Sequence, residues 1–173
     1  MISLDLRKDV QDLREMLSEA VRSYKTLSGA SETAESYPPV TGIDLVFSLG
    51  DGESTPWVHL HLDTKPGSEP DGDPTHPDFG KLPREGWLPA FRAVCDGEEV
   101  AVTESNRNPR IYGDAGLSNA IGEFLVSTLL IAREDGLFND LPRADRCELG
   151  VEDPTTGEFG WPRYEERGQE NLL

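Results

Sequence analysis

The sequence predicts an α+β domain: a mostly antiparallel sheet of about five strands with two main helices packed on one face. Three observations lead there. Two long segments space their apolar residues like helix faces, and several short segments alternate or run apolar like strands. The order helix, two strands, strand, helix, hairpin also argues against repeated strand–helix–strand units. At 173 residues the chain has the size of one globular domain, 1–173. A domain of that length buries about 70% of its unfolded surface.

The first element is an N-terminal helix over residues 1–29. Leu4, Leu6, Val10, Leu13, Met16, Leu17, Ala20, Val21, Tyr24 and Leu27 form its apolar face. Ser3 or Asp5 supplies a cap at its start and Ser28-Gly29 an end. Residues 30–41 are small, polar and proline-containing, and read as a linker. Ile43–Leu49 is the first strand, and 50–56 is turn chemistry. Trp57–Asp63 alternates strictly: Val58, Leu60 and Leu62 on one face, Trp57, His59, His61 and Asp63 on the other. These two strands make an antiparallel hairpin with its aliphatic side on the helices.

Residues 64–86 hold five prolines and four glycines without periodicity, a long loop of the kind that is functional or disordered. Trp87–Val94 reads as a short helical turn, and Glu98–Thr103 as a third strand entered through Asp96-Gly97. Residues 105–116 form a polar loop. The segment Ser118–Arg133 is apolar nearly all round, with Glu123 and Ser127 on a narrow polar stripe, and Gly136 ends it. Such a helix belongs in the core. It is too short, and too interrupted by Glu123, to span a bilayer. Cys147–Glu152 and Glu158–Trp161 flank Asp153–Gly157 as a second hairpin, and 162–173 is a surface tail.

Charge is the outstanding bulk property. The net charge of −17 comes from 33 acidic and 16 basic side chains. That balance repels nucleic acid phosphates and anionic membranes and favours a basic protein partner, besides keeping the chain soluble. Cys95 and Cys147 are far apart and form no Cys-x-x-Cys, so both are expected as free thiols. The N-terminal residues contain no apolar signal-peptide core, and a cytoplasmic setting is expected.

The phosphate-loop, dinucleotide, nucleophile-elbow, His-Glu-x-x-His and paired Cys-x-x-Cys signatures are all missing. Their absence removes the commoner nucleotide, hydrolase and zinc readings. Three candidate sites remain. His59, His61 and Asp63 share a strand face with alternate residues roughly 6.6 Å apart, and His76 follows in the loop. Imidazoles with a carboxylate suit Zn, Mn or Fe, as in a metal-binding protein or a metal-dependent hydrolase. Arg107 and Arg110, just before the core helix, form a basic patch for an anion, or pair with the chain's own acids. Glu69, Asp71, Asp73 and Asp78 form an acidic loop for a basic partner. Between the classes, the charge and the missing signatures favour a non-enzymatic interaction module, as in inhibitor or immunity-type proteins, over the metal alternative.

Overall fold

In the computed structural model, described for residues 1–30, 39–50, 53–64, 81–105, 108–155, 157, 159–162 and 172–173, the chain builds two sheets and three α-helices. Its elements are β1 (Ile2–Asp5), α1 (Val10–Ala30), β2 (Val40–Ser48), β3 (Trp57–Asp63) and β4 (Lys81–Pro83). Then follow α2 (Leu88–Cys95), β5 (Val100–Thr103), β6 (Arg110–Tyr112), α3 (Asp114–Glu134), β7 (Arg143–Glu152) and β8 (Gly160–Trp161). One sheet has the order β4-β3-β2-β7-β8 and the other β1-β5-β6. The larger sheet is antiparallel except where β2 and β7 run parallel at its centre.

Strand alternation divides the larger sheet into two unlike faces. Ile43, Leu45 and Phe47 on β2 stand beside Leu62, Leu60 and Val58 on β3, and all are essentially inaccessible to water. Leu149 and Val151 of β7 continue the same side. Against this layer lie α1, through Leu13, Leu17, Ala20 and Tyr24, and α3, through Leu117, Ile121, Leu125 and Leu129. Each fully buried Leu or Ile contributes on the order of 1.5–3 kcal/mol, so this layer supplies the main drive to fold. Glu123 and Ser127 mark the exposed side of α3, as their spacing predicts. The helix stops at Gly136, whose φ of 75° lets its own N–H reach Arg133 O and the next N–H reach Ala132 O. Gly97 closes α2 by the same pattern, with Gly97 N donating to Val94 O and Glu98 N to Ala93 O.

Several boundaries differ from the sequence expectation. The N-terminal helix does not begin at residue 1. Ile2–Asp5 is a strand parallel to β5, followed by a 3-10 turn over Leu6–Asp9, and α1 starts at Val10. A short apolar segment fits either period, and pairing with β5 decides it. Asp5 does cap, but it caps the 3-10 turn: its carboxylate accepts from Arg7 N at 3.3 Å and from Arg7 Nε at 2.7 Å. The third strand joins the smaller sheet rather than the larger one. Within the expected 64–86 loop, Lys81–Pro83 is an edge strand on β3 and Glu85–Trp87 a 3-10 turn, while 65–80 lies outside the described residues. In the 162–173 tail, Leu173 N donates to Cys147 O at 3.0 Å and Leu172 bridges Glu148, so these two residues dock on β7.

Two polar clusters tie the layers together. Arg84, only 7% exposed, donates to Asp9 at 2.7 Å and Asp12 at 3.1 Å, while Trp87 Nε1 donates to the other Asp9 oxygen at 2.9 Å. This fastens the start of α1 to the segment before α2. Asp153, 1% exposed, opens the turn between β7 and β8; it accepts from Thr155 N and from Ser118 Oγ, each at 3.0 Å. Phe159, in the same turn, covers Gly122 so closely that a Cβ there would lie 2.4 Å from its ring. The second hairpin is therefore bolted to α3.

Candidate functional site

The other face of the larger sheet carries the chemistry. Register sets it out in rows across β3, β2 and β7: His59, Val46 and Glu152; then His61, Asp44 and Gly150; then Asp63, Gly42 and Glu148. Neighbouring strands are about 4.8 Å apart and rows about 6.6 Å, so these side chains crowd one patch. At its β4 side Lys81 lies over the Trp57 ring, 4.2 Å from the centroid.

Asp44 is the centre of this patch. The glycine across the strand from it, Gly150, is needed for its placement. A Cβ built on Gly150 would sit 1.9 Å from Asp44 Oδ1, so the carboxyl occupies the space where a side chain would stand. A Cβ on Gly42 would meet Asp63 Oδ2 at 3.4 Å and Asp44 Oδ2 at 3.5 Å, which puts two carboxyls over the same backbone. Neighbours on β3 and β7 crowd Asp44, and an intermediate share of its surface remains open through the face. Burial pushes its carboxyl up to about 7, and the negative charges of Asp63, Glu152 and Glu148 push in the same direction against the opposing pull of His61.

His61 responds to the same field. Its Nε2 lies 3.2 Å from Asp63 Oδ1, an electrostatic contact without hydrogen-bond alignment. Asp63 raises the imidazole above its ordinary value in spite of burial, and Asp44 and Glu152 add to the effect. His59 meets His61 edge to face, with ring centroids 6.2 Å apart. Acids outnumber cations across the patch, and the described lysines and arginines are largely engaged elsewhere. Arg14 pairs with Asp135, Lys25 with Asp140 and Arg84 with Asp9 and Asp12. Arg146 reaches the rim only, at Glu148, where Nε donates at 2.8 Å.

The sequence-derived candidates fall as follows. His59, His61 and Asp63 share the strand face that alternation assigned to them. His76 lies outside the described residues, and among the described residues no three His, Cys, Asp or Glu side chains are gathered to hold a metal ion. Arg107 also lies outside the described residues. Arg110 is exposed on β6 beside Tyr112, which raises its pKa together with Glu104; Tyr112 in turn donates to Glu104 at 3.0 Å. Glu69, Asp71, Asp73 and Asp78 lie outside the described residues as well.

Sequence reasoning missed Asp44, Glu148 and Glu152 as members of the site. A signal for Asp44 existed: an Asp inside Ile43–Leu49, where strand propensity disfavours it. Nothing local could pair Glu148 and Glu152 with it, because the parallel contact between β2 and β7 joins segments about a hundred residues apart. A shallow depression of about 270 Å³ beside Asp9, Asp12 and Arg84 is a separate feature, in which Arg84 is paired with both aspartates. Comparison with family models, with curated proteins and with solved structures finds no match for this chain.

Proposed function

We propose that this protein is a non-enzymatic binding module that takes a basic protein partner on the acidic face formed by β2, β3 and β7. The observation that carries this reading is the gathering of Asp44, Asp63, Glu148 and Glu152 on one sheet face, with Asp44 pushed up to about 7. Burial first, and then the negative charge of Asp63, Glu152 and Glu148, hold this carboxyl protonated near neutrality and leave the face with a deficit of positive charge. A partner that brings cations to the face relieves that deficit and gains attraction from the whole acidic chain. Its net charge of −17 steers such an encounter from a distance. Masking of a basic protein, as an inhibitor does, follows from this chemistry. The acidic residues Glu69, Asp71, Asp73 and Asp78 add sequence charge, but the face assigned here does not depend on them.

The test is capture from a lysate of the source organism with immobilised wild-type protein and with D63N/E148Q/E152Q. The wild type should retain a cationic protein at low salt and release it as salt rises. The variant should retain it poorly at the same low salt. Equal retention by both proteins would overturn the assignment to this face.

A further inference from the structure

A very short piece of chain closes the outer edge of β7. The inner edge of that strand pairs with β2, and β8 takes the outer edge at Val151 and Glu152. Before that point the outer edge is met, among the described residues, by Leu172-Leu173. Leu172 forms an antiparallel bridge to Glu148, and Leu173 N donates to Cys147 O at 3.0 Å. From α3, Arg133 Nη1 donates to the Leu172 carbonyl oxygen at 3.1 Å, and Leu173 packs against the core.

The same stretch of β7 is poorly held from its other side. Its register on β2 jumps from Val40↔Arg143 to Gly42↔Glu148, so residues 144–147 stand against Thr41 alone. A bulge of that kind interrupts the ladder. Residues directly opposite in an antiparallel pair share a face. Leu173 therefore stands beside Cys147, which lies with Leu149 and Val151 in the aliphatic layer and is 1% exposed. The hold on Leu172 and Leu173 is slight in comparison with the rest of the sheet. Both residues are half-buried, whereas β2 and β3 pair without a break from Gly42↔Asp63 to Ser48↔Trp57. Segments with few buried contacts open on their own, without the rest of the fold. A sheet edge left open is in turn a template for another strand, and native proteins cover it.

We propose that Leu172-Leu173 is a releasable strap: seated, it closes the outer edge of β7 over Cys147, and released, it bares that edge and the thiol while both sheets stay folded. Arg133 is its anchor on α3. The device is independent of the function assigned to the acidic face.

The experiment follows alkylation of Cys147 by iodoacetamide in the full chain carrying Cys95→Ser, because Cys95 is exposed. Burial pushes the Cys147 thiol up to about 11, so it is inert while covered and gains reactivity once bared. Leu173→Pro removes the N–H that reaches Cys147 O, and ending the chain after Asn171 removes the strap entirely. In native buffer each should be alkylated roughly tenfold faster or more than the strapped chain, with the urea midpoint of the fold nearly unchanged. Equal rates, or an acceleration that only follows a lowered midpoint, would overturn the proposal. Should either variant fail to fold, hydrogen exchange in the unsubstituted protein decides. The Leu173 amide should exchange more slowly than in a free peptide, at a rate that low urea leaves unchanged, while the β2 and β3 amides accelerate with urea. Exchange of the Leu173 amide at the free-peptide rate, or in step with the β2 and β3 amides, would equally count against the strap.

Discussion

Asp44 links the chemistry of the face to the stability of the fold. Its carboxyl titrates at about 7 in the folded protein against an ordinary 3.8. Between about pH 4 and 7 the folded state therefore holds a proton that the unfolded chain has lost. Stability falls as pH rises through that window and levels off above it. The raised value of His61 acts in the same direction: its contribution is full below about 6.5 and is lost as pH rises through the folded value. Asp44→Asn keeps a neutral side chain at every pH. Urea unfolding should find it more stable than wild type at pH 8, by on the order of 2–4 kcal/mol, and nearly equal at about pH 3.5, below the ordinary carboxyl value. A gain of the same size at both pH values would mean that Asp44 does not titrate between them.

The glycine beside it gives a second test at the same scale. Gly150→Ala places a methyl group where Asp44 Oδ1 stands, and overpacking of that kind costs about 1–3 kcal/mol. Asp44→Ala made in the same chain removes the collision, so the double variant should lose clearly less than the sum of the single losses. Simple additivity would place the two groups out of contact. The thiols differ in a related way. Cys95 is exposed, while burial pushes the Cys147 thiol up to about 11. A thiol reagent should label Cys95 alone in the native protein and both residues in denaturant.

Among the elements, α3 was the most legible in sequence, and it buries a long apolar face. Leu125→Ala or Leu129→Ala should lower stability by about 2–5 kcal/mol, because both side chains are wholly inaccessible and the helix closes the aliphatic layer. A negligible change in the urea midpoint would remove α3 from the core. The first two strands of the larger sheet and the last hairpin were also legible, since each carries its alternation and turn residues locally. The strand β1 was not. Ile2, Leu4 and Leu6 fit a helix as well as a strand, and the deciding partner, β5, is about a hundred residues away. The same distance explains why the candidate site was only half visible. His59, His61 and Asp63 share one strand, so alternation alone groups them. Glu148 and Glu152 join them only through the parallel register of β7 on β2. The fastening of Arg84 and Trp87 to Asp9 left no local signal for the same reason.

For the whole molecule, the topology separates an aliphatic side of the larger sheet, closed by α1 and α3, from an acidic one. Polar substitutions on the acidic side are consequently expected to change binding far more than folding, Asp44 excepted. The most direct measurement is the affinity for the captured basic partner as a function of salt, in wild type and in D63N/E148Q/E152Q. Exposed charges are screened beyond roughly 8 Å at physiological ionic strength, so wild-type affinity should fall steeply as salt rises. The variant should bind more weakly at low salt, with a shallower dependence, chiefly through slower association. Identical affinity and identical salt dependence for the two proteins would contradict the assignment of the β2, β3 and β7 face as the binding surface.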